Sequence, residues 1–268
     1  MGEQQPKSSK PMTKLRPDDR RDRVLKALNT NASLRITELA RTLNVSTETI
    51  RRDLDFLHEK DLVQRHYGGA VAKSVGSEPP WAERLIAFAD VKSAIARSAI
   101  KLFSDKDVLM LGPGATAYTF AKHLAAENRR LTVFTNNLAA SSCFAPDSRT
   151  RVVIAPGEYD PAEGCTWGPE TTEFIGKFRF DTSLLSVSGL SALGGTEVVS
   201  GIAWAERAIV AQSARTVLMV DHSKFGNTCL ELVCKLDDVD ILITDIAPEG
   251  ELLEALEEAD VEIIVAEE

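Results

Sequence analysis

Long apolar runs are missing from this chain of 268 residues. No stretch approaches the roughly 18 uninterrupted apolar residues that a membrane-spanning helix needs. The opening stretch, Met1 to Arg23, is polar throughout and has no apolar core of a secretory signal. A cytoplasmic protein with no membrane partner is therefore expected. Cysteine is scarce: Cys143, Cys165, Cys229 and Cys234 are scattered, with no C-x-x-C pair, and the 4 histidines do not gather near them. A disulfide framework or a zinc site needs closer organisation, so buried reduced thiols and no metal are expected. Glycine, at 16 residues, and proline, at 11, fall far below what collagenous chains require.

What is present is an ordinary globular composition, 44% hydrophobic and 26% charged, in a chain long enough for one large or two ordinary domains. The net charge of −9 alone argues against nucleic acid, but it hides an asymmetry. Residues 1–73 carry 15 Lys and Arg against 10 Asp and Glu, whereas the remainder carries 16 against 30. A small basic end on a large acidic body suggests a nucleic-acid-binding module carried by something else.

Residues 1–16 are polar and lack apolar periodicity, which reads as a disordered arm. Residues 17–72 read as a winged helix-turn-helix. Pro17 suits a first helical position, with Val24, Leu25 and Leu28 as its apolar face. A short second helix follows over Thr37 to Leu43. The break Asn44-Val45-Ser46 supplies a left-handed residue and a cap, and a third helix runs from Thr47 to Glu59. Ile50, Leu54 and Leu57 face inward there, leaving Thr47, Glu48, Arg51, Arg52 and Asp55 outward. The alternating segment from Leu62 to Val71, turning at Gly68-Gly69, reads as a hairpin wing. Two short helices about a tight turn, with threonines and paired arginines at the start of the second, are what major-groove reading requires. Ser46, Thr47, Thr49, Arg51 and Arg52 are the expected groove contacts, with Arg65 and Tyr67 of the wing along the backbone or minor groove. A protein-docking module is the blander alternative.

Residues 73–80 have linker composition, and residues 81–268 read as a second domain. Trp81 to Phe103 gives one long helical pattern. Apolar runs of strand length then alternate with helical spans: Val108 to Leu111, Leu131 to Thr135, Val152 to Ala155, Thr182 to Val187, Thr216 to Val220, Ile241 to Thr244 and Val261 to Val265. The fold class expected is α/β, a winged helix-turn-helix joined to an open, mainly parallel sheet covered on both faces.

Ligands bind such sheets at the carboxyl ends of the strands. There Gly112-Pro113-Gly114-Ala115-Thr116-Ala117 runs straight into a helix, a cradle of backbone amides and one hydroxyl suited to a phosphate. The same residues spell G-x-G-x-x-A, but the next strand ends in Thr135-Asn136-Asn137 without the acidic residue a dinucleotide site wants. No cofactor is expected. Further strand ends offer Gly157, Ser188-Gly189 and Asp221-His222-Ser223-Lys224, where Lys224 could meet a phosphate or sugar oxygen with Asp221 orienting it.

The stretch Thr37-Glu38-Leu39-Ala40, then Val45-Ser46, Thr49-Ile50-Arg51-Arg52-Asp53-Leu54 and Arg65-His66-Tyr67-Gly68-Gly69-Ala70 resembles the signature of the DeoR-type bacterial transcription regulators. Lys92-Ser93-Ala94-Ile95-Ala96, Thr135-Asn136-Asn137, Ser188-Gly189 and Asp221-His222-Ser223-Lys224-Phe225 resemble that family's sensor domain. The resemblance implies a sensor similar in fold to ribose-phosphate isomerase that binds a phosphorylated sugar or related metabolite. It also implies Gly114, Ala115, Thr116, Thr135, Asn136, Asn137, Ser188, Gly189 and Lys224 as ligand contacts. This sequence departs from the family with Ala115 where Thr is common, Pro156-Gly157-Glu158-Tyr159-Asp160 where a Gly-Gly pair and Arg are common, and Tyr67 where His is common. The function expected is a metabolite-responsive repressor of a carbohydrate operon, a homodimer or homotetramer on repeated sites in double-stranded operator DNA. The alternative is a sugar-phosphate isomerase carrying a DNA-binding domain, with Glu197 or Glu206 as its carboxylate base.

Overall fold

The computed structural model describes residues 17, 20, 21, 23, 24, 36–59, 63–66, 69–72 and 79–267. The chain divides into two compact units, with the break between Val75 and Gly76. The expected arm and Tyr67 lie outside the described residues, as does the expected linker except for Pro79 and Pro80.

In the first unit, helix α1 (Ile36–Thr42) and helix α2 (Thr47–Glu59) enclose the turn. Asn44 takes the left-handed conformation at φ +51°, a region its short polar side chain tolerates. The Val45 amide returns to the Ala40 carbonyl at 3.0 Å, and the Ser46 hydroxyl accepts the Thr49 amide at 3.1 Å. Both helix ends around the turn thus have their backbone groups occupied. Val24, Ile36, Leu39, Ala40, Ile50, Leu54 and Leu57 form one buried cluster. Of the expected first helix, Pro17, Arg20, Arg21, Arg23 and Val24 are described, all helical. Strands β1 (Val63–His66) and β2 (Gly69–Ala72) pair antiparallel, with His66 opposite Gly69. Gly69 therefore belongs to the second strand, one residue beyond the turn that the glycine pair suggests.

Asp53 is the one buried charge among the described side chains of α2. It accepts Arg20 through Nε at 2.5 Å and Nη2 at 3.0 Å, and Arg21 through Nε at 3.3 Å. Arg21 also lies over the Phe56 ring at 3.6 Å. Two of the basic residues that give this end its charge thus tie the first helical segment to the back of α2. Removing one partner of a buried ion pair strands the other, so Asp53→Asn should cost the first unit about 3 kcal/mol, read as a fall in its thermal midpoint. An unchanged midpoint would show that packing alone holds the segment.

The second unit is built on a seven-stranded, fully parallel sheet in the order β14-β13-β11-β8-β3-β4-β5. Its strands are β3 (Val108–Leu111), β4 (Thr132–Thr135), β5 (Arg151–Ile154), β8 (Thr182–Leu185), β11 (Thr216–Met219), β13 (Ile241–Thr244) and β14 (Glu262–Val265). All seven were legible as apolar runs, and the α/β class stands. Alternation along each strand feeds two cores. Leu109, Leu111, Val133, Val217 and Ile243 pack with helices α4 (Ala89–Ile100) and α5 (Ala115–Glu127) on one face. Met110, Leu185, Leu218 and Leu242 pack with α6 (Ser200–Gln212) and α7 (Glu251–Glu258) on the other.

Three features depart from the expected pattern. The span from Trp81 to Phe103 is not one helix: α3 (Trp81–Ile86) ends at an extended Ala87, and α4 begins after Phe88, held left-handed at φ +55°. A hairpin of β6 (Glu158–Asp160) and β7 (Cys165–Trp167) follows β5. A small antiparallel sheet of β9 (Gly189–Ser191), β10 (Gly194–Glu197) and β12 (Glu231–Cys234) follows β8. Strands of three or four residues, several of them glycine, give period-two patterning too little length to register. Of the cysteines, Cys165 and Cys234 are buried, whereas Cys143 and Cys229 are only half-buried. Burial pushes the Cys165 and Cys234 thiols up to about 12.

Candidate functional site

The face of α2 that points away from its core presents Thr47, Glu48, Arg51 and Arg52. The arginine side chains are 55% and 80% exposed and share one carboxylate: Glu48 Oε2 lies 3.5 Å from Arg51, and Glu48 Oε1 lies 3.6 Å from Arg52. Exposed helical pairs of this kind are weak, so a phosphate or a guanine edge competes with them readily. Ser46 and Thr49 are already joined, with their hydroxyls 2.9 Å apart. Their first task is therefore the cap of α2. Arg65 lies on β1.

In the second unit the strand order reverses between β3 and β8. The chain runs outward through β4 and β5 on one side of β3, then returns to place β8 on the other. At such a switch point the loops part and leave a crevice at the carboxyl edge. Gly112 and Gly114 follow β3 at that edge. A Cβ on Gly112 would sit 2.7 Å from Leu185 Cδ2, and one on Gly114 only 2.3 Å from Ser186 Oγ. Gly114 also holds φ +105°, a conformation closed to other residues. It opens α5, where no side chain caps the helix, so the first-turn amides at Ala115 and Thr116 have no partner within the helix.

The polar residues expected beside this cradle divide by what they touch. Thr135 Oγ1 donates to the Leu111 carbonyl at 2.8 Å and accepts the Asn137 amide at 3.0 Å. Asn137 caps the following turn through the Ala140 amide at 2.9 Å and reaches the Gly114 carbonyl at 3.3 Å. These two residues brace the cradle from beneath. Asn136 donates to the Thr166 carbonyl at 2.8 Å, while its Oδ1 is buried without a hydrogen-bond partner among the described residues. Ser188 gives both its amide, at 2.9 Å, and its hydroxyl, at 2.7 Å, to Glu197. Gly189 and Gly157 are needed for close approach: a Cβ would meet the Asn227 carbonyl oxygen at 2.4 Å and Thr171 Oγ1 at 2.0 Å, respectively.

Lys224 sits half-buried on the single-turn helix that leaves β11. Asp221 heads that turn and accepts the Ser223 amide at 3.1 Å as well as the Ser223 hydroxyl. Its other oxygen lies 3.9 Å from the buried ammonium of Lys92. The carboxylate expected to orient Lys224 thus also shapes the turn and faces Lys92. His222, without a partner nameable in sequence, presents its amide and ring to Asp245. Sequence reasoning gave no site role to Lys92, quoted there only within the family resemblance, and none to Asp245 or Thr166. Glu206, weighed there only as a catalytic base, is fully buried, with Oε1 3.8 Å from where a Gly112 Cβ would stand. Local spacing does not show their partners, because the crossovers bring them together from distant segments.

Residues 20–75 match the DeoR-like helix-turn-helix domain, and residues 88–246 match the DeoR C terminal sensor domain. The chain is 30% identical to the "Glycerol-3-phosphate regulon repressor" of Escherichia coli (strain K12), over 90% of this chain and 96% of that one. It is 33% identical to the repressor of the same name from Haemophilus influenzae, over 86% and 90%. It is 27% identical to the "HTH-type transcriptional repressor GlcR" of Bacillus subtilis (strain 168), over 91% and 95%. Among solved structures, ribose 5-phosphate isomerase A from Methanocaldococcus jannaschii aligns at 19% identity and a TM-score of 0.40, over 53% of this chain and 56% of that one. The chain belongs to the DeoR family of helix-turn-helix regulators with a C-terminal sensor domain.

The cradle gives a direct test of its geometry. Gly114→Ala should destabilise the second unit by about 2 kcal/mol or more, since the backbone strain adds to the contact with Ser186. Adding Ser186→Gly should return only the part due to the contact, as read by thermal unfolding. Full recovery in the double variant would mean that the backbone conformation carries no cost.

Proposed function

We propose that the chain is a DNA-binding transcriptional repressor released by a small phosphorylated metabolite held at the β3/β8 crevice. The observation that carries this reading is the uncapped start of α5 behind Gly112 and Gly114. Backbone amides and the helix dipole there make a site for an anion without any charged side chain. The cation comes from Lys224, and the amides at Ala115 and Thr116 take the phosphate oxygens. Asn136 Oδ1, buried and an acceptor, suits a hydroxyl of the ligand. Thr135, Asn137, Ser188, Gly157, Gly189 and Asp221 support this site from behind. The relatives named as repressors of a glycerol-3-phosphate regulon make glycerol 3-phosphate the first probe to try.

DNA is read by α2, with Arg51 and Arg52 toward base edges or phosphates, Thr47 and the Ser46–Thr49 cap toward the backbone, and Arg65 and Tyr67 from the wing. One such helix reads only a half-site, so the working form is a homodimer or homotetramer in the cytoplasm. Turnover is not part of this reading. Glu197 has both oxygens engaged, by the Ser188 amide and hydroxyl and by the Val198 amide at 3.1 Å, so it is no free base.

The experiment is retention of genomic fragments by the purified protein at near-physiological salt, with and without glycerol 3-phosphate and a panel of sugar phosphates. A few discrete upstream sites, released by one of these compounds, are expected. No enriched fragment in any condition would return the helix-turn-helix to a docking role. Two variants divide the functions. Arg52→Ala should weaken binding to a retained fragment about tenfold or more if it reads a base. Lys224→Ala should leave that affinity unchanged and abolish release, and a variant still released at the wild-type concentration removes Lys224 from the site.

A further inference from the structure

From Trp81 to Phe103 the sequence contains neither glycine nor proline. Its local preference is for one continuous helix, yet the structure breaks it at two residues. Ala87 is extended at φ −61°, ψ 129°, and Phe88 is left-handed at φ 55°, ψ 35°. A left-handed residue other than glycine or asparagine persists only when its surroundings impose it.

The surroundings that impose it flank the crevice. Helix α3 buries none of its residues fully, so little general packing holds it. Specific contacts hold it and the break that follows it. The Trp81 ring meets Tyr118 of α5 edge-on at 5.7 Å, with its Nε1 buried. Arg84 pairs with Glu163, between β6 and β7. Past the break, the Phe88 ring, itself 45% exposed, meets His222 edge-on at 5.4 Å. Lys92 closes the joint, donating to the Ala87 carbonyl and facing Asp221. The strap from Trp81 to Phe88 therefore grips α5 at one end and the Asp221–Lys224 turn at the other. These two elements also carry the proposed anion cradle and its lysine. The strap is also the stretch through which the chain passes, by way of Pro79-Pro80, toward the first unit.

We propose that Ala87-Phe88 is a two-state joint that couples the crevice to the DNA-reading unit, an inference that rests on the function proposed above. In one state the joint is kinked and the strap lies docked on α5 and the exit turn. In the other, Ala87 and Phe88 join a single helix from Trp81 to Ile100 and the strap leaves both grips. A ligand that ties the α5 amides to Lys224 holds the two grips at their docked spacing and so favours the kinked state. This supplies the differential affinity that any such shift requires.

Two substitutions at one position separate backbone from side chain. Both Phe88→Ala and Phe88→Gly delete the ring contact, but alanine favours the continuous helix whereas glycine accepts the left-handed kink at no steric cost. The test uses the full chain with Trp167→Phe and Trp204→Phe, which leaves Trp81 as its sole tryptophan. Phe88→Ala should shift Trp81 emission to longer wavelength without any ligand, and Phe88→Gly should keep the emission of the parent. An unshifted Phe88→Ala, or the same shift in both variants, overturns the joint.

The second arm measures affinity for a retained DNA fragment, again without ligand. The two variants should differ by about tenfold, with Phe88→Gly on the side to which glycerol 3-phosphate moves the parent. If emission separates the variants but their DNA affinities agree within about twofold, the coupling is overturned. A parent chain that retains no specific fragment sinks the proposed function by itself, and the emission arm still decides the joint.

Discussion

Between Gly114 and Ser186 there is no room for another carbon atom, and most of what the second unit presents follows from that closeness. The strand order reverses at β3 and β8, so this is where the sheet's edge opens. The opening is narrow because Gly112 continues β3 alongside β8, its amide on the Leu184 carbonyl at 3.0 Å, before the chain turns away. Only then does α5 start, with Gly114 at its head and no side chain capping it. Larger residues at either glycine would push α5 off the sheet and remove the cradle together with the packing of Phe120 and Leu124 beneath it. Fold and candidate site therefore share one geometric requirement.

The same economy explains which parts were legible in the sequence. The five inner strands are buried along almost their whole length, whereas the edge strands β5 and β14 leave their end residues exposed; all seven read by their apolar residues, and α2 reads by its inward Ile50, Leu54 and Leu57 with a serine cap ahead of it. The small antiparallel pieces did not read, because their form depends on close approach rather than on apolar burial. Gly189 and Gly194, for example, admit the Asn227 and Cys234 carbonyls within 2.4 Å and 2.1 Å of where a Cβ would be. Local periodicity also carried the helix through Ala87 and Phe88, where contacts from Tyr118, Glu163 and His222 override it. Tertiary contacts outweigh propensity most readily where few side chains are buried, as in α3.

The candidate site residues were legible as strand ends, but their hydrogen-bond partners were not. Strand ends pointed to Thr135, Asn137, Ser188 and Asp221, and all four lie at the carboxyl edge. Their hydrogen bonds, however, run to the Leu111 carbonyl, the Gly114 carbonyl, Glu197 and Ser223. A polar residue buried beside a glycine turn has two ways to satisfy its donors, a ligand or the backbone that shapes the turn, and sequence does not distinguish them. The basic end shows the same ambiguity. Arg20 and Arg21 contribute to the charge that suggests DNA, yet both turn inward to Asp53, which leaves Arg51 and Arg52 as the outward pair on α2.

Charge distribution then constrains how such a regulator can work. The acidic body repels a polyanion, so contact with DNA is confined to a small patch and few phosphates are neutralised by each chain. In the proposed homodimer or homotetramer, modest affinity per chain would make occupancy of a site depend on two reading helices being presented at one spacing, because linked half-sites multiply and mismatched ones do not. A switch need not touch the DNA-reading surface at all under that condition. It has only to alter how the second unit hands the chain to the first, and the segment between Pro79 and Phe88 is short, specifically gripped and conformationally divided. Placing control in the connection leaves both the cradle and the recognition helix rigid, which is what precise readout at each end requires.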